Sequence, residues 1–429
     1  MPQAESVAIP KRLPLVTQPA NRDESTNKDA KLINAYVEKD ALTGEYQTFK
    51  RPGLLTNITK SGNGLGVFNW LGDIYAIFGT TLYKNGSSVG TVGAPGGVYR
   101  FASCLGTPKL QLSNGTTMYN YDSGSGLVAM SGANLPSPAV KGIVYLDATT
   151  YMMNSSASIR GCAVINDPTD WSDTLNRLTA QIEPDQGVFL AKQLVYVLAL
   201  KQWSTEIFYD AANPTGSPLG PVQGAKINYG CAHTDSVQEL DGVLFWVATN
   251  RSAATQVLMV ENLKPMVVST KPIERLLGNA DFTSVYSFAF KYEGHRFYGF
   301  TLVNNNITLV YDAAEMMWAQ WTDSSGNYFP ISSATFDSTT GIILQHATNG
   351  KLYNVDSSYY TDDGSVITVD IYTPNFDGGV RRRKQLNVME LIADQTVGSI
   401  LQVRKNDNDY DQTSWSNFRR VDLSHKKPM

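Results

Sequence analysis

Apolar residues in this chain recur in short strand-length runs rather than at helical spacing. From about Gly53 to about Gly364 the runs come in pairs. Each pair is an apolar strand, a turn of Gly, Asn, Ser or Thr, a second apolar strand, and then Asn, Asp or Glu. DIYAIFGTTLYKN, HRFYGFTLVNNNITLVYD and GIILQHATNGKLYNVD are three of seven such copies. The copies close on Asn85, Asp122, Asp167, Asp210, Glu261, Asp312 and Asp356, at spacings of 37 to 51 residues. A period of this size with two strands in every unit is what a propeller blade requires. The pattern predicts an all-β fold, a β-propeller over residues 51–364. Seven hairpins fit either seven blades or six blades plus an edge hairpin.

Local signals agree with that architecture. Asn-Gly at 85–86, 114–115 and 349–350 marks tight hairpin turns. Val243 to Val247 reads as a strand buried on both faces, as stacked blades require. Helix signals reduce to Pro272–Leu277, with Gly278 after it as a stop. Outside the repeat the texture changes. Residues 1–50 hold Pro2, Pro10, Pro14 and Pro19 and no strand alternation, which predicts an extended N-terminal arm, either disordered or ordered by lying on a partner. Residues 365–429 alternate again over 365–372, 385–392 and 399–404, predicting a small C-terminal β-sheet or sandwich domain.

Composition narrows the function classes. Charged residues are 17% of the chain and the formal net charge is −4. Dedicated nucleic-acid binders gain affinity from clustered Lys and Arg, so a DNA-gripping module is not expected. Low charge fits a surface covered by partner subunits and fits an ordinary soluble β-protein equally. The three cysteines, Cys104, Cys162 and Cys231, are far apart and outside any metal or redox spacing, and read as small buried hydrophobes. The first residues lack a continuous apolar stretch, and no run is long enough to span a bilayer. A non-secreted chain without a membrane span is therefore expected.

Candidate chemistry is sparse. His233, His295, His346 and His425 share no ligand spacing. Asp407, Asp409 and Asp411 open like a calcium loop, but Gln412 and Phe418 occupy the positions where Gly and Glu are needed. No nucleophile, phosphate-loop or metalloprotease motif is present, so neither a catalytic set, a metal site nor a cofactor is predicted. The acids that close each hairpin have two readings. Propeller glycosidases use paired channel carboxylates, whereas an Asp at a fixed repeat position mostly bonds its own following amides. Arg381, Arg382, Arg383 and Lys384 form one basic run, a candidate interface or phosphate-facing patch, or a solvated run at a domain junction.

Segments outside the repeat carry a family resemblance. They are Leu13-Pro14-Leu15, the strip Leu32 to Lys39, Tyr46, and Arg51-Pro52-Gly53-Leu54. In the same order follow Gln181 to Gly187, Trp203 to Asp210, Gly230 to Val247, Lys271 to Leu277 and Thr413 to Asn417. Together they resemble the packaged-DNA stabilisation proteins, the tail hub or nozzle of short-tailed bacteriophages. That resemblance implies a structural virion protein of the tail, assembled in the host cytoplasm. It implies a homo-hexameric ring below the portal that retains packaged DNA and conducts the genome on ejection. The implied partners are the portal or head-to-tail adaptor, other tail proteins such as needle, plug, fibre or spike, and double-stranded DNA in weak lumen contacts. Leu32, Tyr36, Glu38 and Pro52 are then the candidate arm contacts. The family commonly continues past the Trp415 turn into an Arg-rich strand, whereas this sequence ends at Met429. The rival readings are a propeller glycoside hydrolase or carbohydrate-binding tail component with channel carboxylates, and a monomeric propeller that binds other proteins.

Overall fold

The computed structural model describes residues 15–20, 29–93, 97–105, 109–252, 255–375, 389, 392–394, 397–408 and 413–424. Each hairpin of the repeat is the middle of an antiparallel blade, and seven blades circle one axis. Blade I spans 64–91, II 100–129, III 144–179, IV 187–227, V 230–267 and VI 285–321. Blade VII takes three strands from 331–356 and its fourth, Gly53–Thr59, from the other end of the repeat. The hairpins visible in the sequence are the second and third strands of each blade. These middle strands face blades on both sides, which is why they are the most apolar. Val243 to Ala248 are all at most 2% exposed.

The turns obey local chemistry. Asn85 and Gly86 hold φ of 45° and 80°, the left-handed pair that a two-residue hairpin requires. The predicted helix is Lys271–Gly278, between blades V and VI. It starts beyond Thr270 with Pro272 in its first turn and buries Ile273 and Leu277 against both blades.

The core lies between blades rather than within one layer. Seven buried clusters correspond to the seven interfaces, from Ile77 and Leu110 at I–II to Phe78 and Leu352 at VII–I. Buried glutamines lock several of them. Gln345 of blade VII donates to Ile77 O (2.9 Å) and accepts from Gly66 N (2.6 Å) in blade I. Gln193 of blade IV donates to Gly242 O and Val260 O of blade V. A buried amide that satisfies backbone groups of the next blade sets the angular register, because losing it strands those groups without water.

The arm contains strands that its sequence does not announce. Lys31–Ile33 lies parallel to the outer strand Met317–Trp321 of blade VI, and Asp370–Tyr372 adds antiparallel outside it. Ala35–Lys39 and Tyr46–Lys50 form a hairpin. The alternation of Lys31–Ile33 is weak because its edge addition is held by main-chain bonds to strands about 290 to 340 residues away. Farther on, Thr361–Asp362 pairs parallel to Gly53–Thr59, and Ser365–Val366 returns beside it. The C-terminal region forms a ribbon of Ile400–Val403 and Arg419–Asp422, with Trp415 edge-on to Tyr372. Among the described residues no helix is long and apolar enough to cross a membrane.

Closure of the ring depends on close backbone approach at Gly53, where an added Cβ would stand 2.2 Å from Tyr359 O and 2.6 Å from Thr361 O. Gly53→Ala is expected to lower stability by about 1–3 kcal/mol in urea unfolding. Gly278→Ala, where nothing lies within 4 Å of the new Cβ, should leave the midpoint unchanged or raise it.

Candidate functional site

The arm is fastened by one buried guanidinium. Arg51 is 1% exposed and lies between the arm, blade VI and the segment that follows blade VII. Nη1 and Nη2 donate to Asp362 Oδ1 (3.0 Å) and Oδ2 (2.5 Å). Nε donates to Asn34 Oδ1 at 3.0 Å and Nη2 to Thr322 O at 3.0 Å, while the ring of Phe329 lies under the guanidinium at 4.6 Å. Asn34 adopts φ 55°, a left-handed position that Asn tolerates, and this aims its amide inward. Its Nδ2 donates to Thr322 Oγ1 and Thr368 O, and its Oδ1 also accepts from Thr322 N. Arm, blade VI and C-terminal segment therefore share one polar knot whose named donors all have acceptors. Arginine suits it because a planar fork can serve a carboxylate, an amide oxygen and a carbonyl together.

Three of the four arm residues singled out from the sequence are buried beside that knot. Leu32 is 1% exposed and sits with Ala35 and Val37 in the core cluster of blades VI and VII. Tyr36 stacks on Phe49 and meets His295 and Phe297 edge-on, at 4.8 and 5.6 Å between ring centres. Pro52 is buried and its carbonyl accepts from Arg51. Glu38 faces solvent. Its charge is felt by His295, whose Nδ1 lies 2.6 Å from Asp312 Oδ2. Burial opposes protonation of His295, but the bond to Asp312 and the charges of Asp312, Glu38 and Glu315 outweigh it and raise the pKa. Asn34 and Arg51 lie within the resembling segments, yet nothing in composition or spacing marks them as the fastening. Their partners Thr322, Asp362 and Thr368 come from the far end of the chain. The basic run Arg381, Arg382, Arg383 and Lys384 lies outside the described residues.

The axis of the propeller is occupied. The inner strand of blade V is split into Gly230–Cys231 and Gln238–Leu240, and a 3-10 turn at Thr234–Ser236 bulges between them. Asp235 on that turn accepts from Lys141 Nζ at 2.7 Å through both oxygens, and Arg100 of blade II approaches to 3.9 Å. Ser287 of blade VI donates to Asp235 O, and Tyr298 donates to Ser236 O. A turn that touches blades II and VI, on opposite sides of a seven-fold ring, spans the centre. Burial lowers the pKa of Lys141 against the pull of Asp235.

The carboxylates are committed to structure. Asp122, Asp167, Asp210, Asp312 and Asp356 each accept from backbone amides two residues on. Asp185 and Glu206 flank the fully buried Lys201, at 2.9 and 2.6 Å, with side chains 1% and 2% exposed. That cluster joins two of the resembling segments, since Asp185 also accepts from the amides of Trp203 and Ser204. Above it opens a polar pocket of about 600 Å³, lined by Ser155, Gln181, Glu183, Gln202 and Trp203 among others. Glu183 there is taken by Lys226 at 2.6 Å. Cys104, Cys162 and Cys231 are free and buried, and burial pushes the Cys162 and Cys231 thiols up to about 11 and about 12. Among the described residues no group of three His, Cys, Asp or Glu is placed to hold a metal ion.

Comparison with known proteins agrees with the architecture. A model of the phage-stabilisation family, described as bacteriophage P22 Gp10, β-propeller, matches residues 21–359. No curated protein matches the chain. Among solved structures it is similar to the computationally designed Ika8 protein, at 8% identity over 71% of this chain and 100% of that one, with a TM-score of 0.43. It is also similar to Raptor of Chaetomium thermophilum, at 11% identity over 71% of this chain and 29% of that one, with a TM-score of 0.43. A third is a catalytically inactive virginiamycin B lyase from Staphylococcus aureus, at 7% identity over 71% of this chain and 98% of that one, with a TM-score of 0.47.

Two outcomes test this site. Arg51→Met removes the guanidinium from the Asp362 carboxylate and from Thr322 O, while Asn34 keeps its bonds to Thr322 and Thr368, and should cost about 3–5 kcal/mol in urea unfolding. Arg51→Lys should recover little of it, because an ammonium cannot serve the three acceptors in one plane. The second concerns acid. Burial and then the charge of Lys351 push the His346 pKa down to about 4. Its neutral Nδ1 accepts from Thr348 N and Asn349 N. Because the folded value is below the unfolded one, this stability is present above about pH 6.5 and is lost as pH falls toward 4. His346→Gln should flatten that part of the stability–pH profile, and NMR titration should place the His346 midpoint below that of His295.

Proposed function

We propose, from the premise that this chain belongs to the phage-stabilisation family of bacteriophage P22 Gp10 β-propellers, that it is a subunit of a ring-shaped tail hub. The family fits a bacteriophage structural role rather than an enzymatic one. The finer reading is a homo-hexamer below the portal that retains packaged DNA and later conducts it.

The observation that carries this reading is the filled propeller axis. With Asp235 held by Lys141 and approached by Arg100 across the centre, side chains cross the propeller axis at this level, which supports a role as a wall element rather than a pore. A passage wide enough for a duplex must then lie between subunits arranged in a ring. The charge supports the same use. A lumen that gripped phosphates strongly would hold the genome back, and a chain with 17% charged residues and a net charge of −4 offers little such grip. The arm adds a further consequence. Part of it is docked on blades VI and VII of its own chain, so a fixed platform is available for the portal-side contact.

Light scattering and negative-stain imaging of the purified chain with portal complexes of the same phage test the assembly. The expected result is a ring of six seated on the portal. A chain that stays monomeric beside portal complexes overturns the hub reading. Particles assembled without this protein should package DNA and then lose it, read as genome length accessible to nuclease. Full nuclease protection in its absence overturns the retention role.

A further inference from the structure

One face of the disc carries apolar residues where folding alone disfavours them. This is the face onto which the first-to-second and third-to-fourth strand turns of each blade open, and where the closing acids lie. Leu71 and Leu194 are tips of first-to-second strand turns, at φ 55° and 52°, and are 72% and 53% exposed. A leucine there meets both the steric cost of a left-handed backbone and the cost of apolar exposure. Blades V and VI place Asp241-Gly242 and Glu293-Gly294 at the same turns, the ordinary solution. Beside the leucines stand Leu105 at 73%, Ile165 at 72%, Val195 at 60% and Phe336 at 65% exposure.

These residues form a crescent running from blade VII through I, II and III to IV. Asn69, beside Leu71, donates to Phe336 O. Tyr145 bonds Asn166 Oδ1, and Cys104 donates to Asn166 O, which ties the neighbours of Leu105 and Ile165 together. Lys192, next to the blade IV turn, donates to Tyr145 O. The loop bearing Ile165 is rigidly built. Trp171 is buried with its indole nitrogen donating to Pro168 O, and Asp167, Asp170 and Asp173 each cap an amide two residues on. Those three acids and Asp147 have no lysine or arginine within salt-bridge distance among the described residues. The crescent is thus apolar at its tips and negative around blade III.

We infer that this crescent seats the basic-apolar stretch 380–392 of a second copy of the chain, as a repeating contact between neighbours. That stretch runs Arg381-Arg382-Arg383-Lys384 and is followed by the apolar residues Leu386, Val388, Met389, Leu391 and Ile392. Its four cations match the four unpaired acids, and its apolar positions match the leucine tips. It follows Asp370–Tyr372 on the outer edge of blade VI, a side of the disc where a neighbour would lie. A contact between two different patches of one chain is heterologous, and such contacts form a ring when their rotation closes. The inference rests on the ring reading above and names the fastening within it.

Leucine-to-asparagine substitution separates this contact from folding. Leu71→Asn and Leu194→Asn replace a disfavoured left-handed leucine by the residue that tolerates it best. Monomer stability should hold or rise while self-association, read by sedimentation, weakens at least tenfold and stays sensitive to salt, because the charged groups are unchanged. Cross-linking tests the occupant directly. Ile165→Cys chains mixed with Gln385→Cys chains should form a mixed disulfide dimer under mild oxidation, with the buried native cysteines silent in each variant alone. If the ring persists but the mixture gives no such dimer, or unchanged association accompanies both Asn substitutions, the inference fails and the ring reading stands. A disulfide formed within one doubly substituted chain, with none in the mixture, also overturns it. A chain monomeric under every condition overturns both.

Discussion

The closed ring of blades depends on a charge taken out of water. Arg51 sits at 1% exposure, where an unpaired guanidinium would be prohibitive, and it is tolerable only because Asp362, Asn34 and Thr322 present acceptors to it. Those partners come from the arm, from the end of blade VI and from the segment after blade VII. A hydrophobic contact would tolerate sliding by a residue, whereas this fork would not. The knot therefore sets the register of the parallel strand Lys31–Ile33 beside blade VI. It also sets the path of Gly53–Thr59, which begins two residues later and completes blade VII. Ring closure and arm docking share one set of contacts.

The same logic of satisfied polar groups fills the axis. Seven blades leave a central space, and here the split inner strand of blade V enters it with a turn whose carboxylate meets Lys141 and Arg100. Blades that would otherwise touch only their neighbours are thereby tied across the diameter. Chemistry is correspondingly spare. Five of the six acids that close the hairpins bond turn amides, and Asp185 and Glu206 are occupied by one buried lysine.

How much of this was legible beforehand follows from which partners are near in sequence. The hairpins from Asp73 to Asn85 and from His295 to Asp312 pair with themselves, and apolar runs and Asn-Gly turns reveal such pairing. The inner strand of blade V is weakly patterned because the turn at Thr234–Ser236 splits it into two short pieces, and Lys31–Ile33 because main-chain bonds to distant strands hold it. Tyr36, Leu32 and Pro52 stood out within a resembling strip. Asn34 and Arg51, polar residues in the same strip, did not, since only a partner far along the chain makes burying them worthwhile.

The sequence by itself determined that this is an all-β chain built on a repeat of about forty to fifty residues. It offered a turn role as one of two readings of the closing acids, and it carried the family resemblance. Each of these is written in local order, as strand period, turn chemistry or motif succession. Only the tertiary structure decided that the blades number seven and that the last is completed by Gly53–Thr59. It alone showed the axis closed by Asp235 and the arm locked by Arg51. Those are contacts between residues 94 and about 300 positions apart. Their energy comes from desolvating groups together, and no local pattern records which distant group will be there.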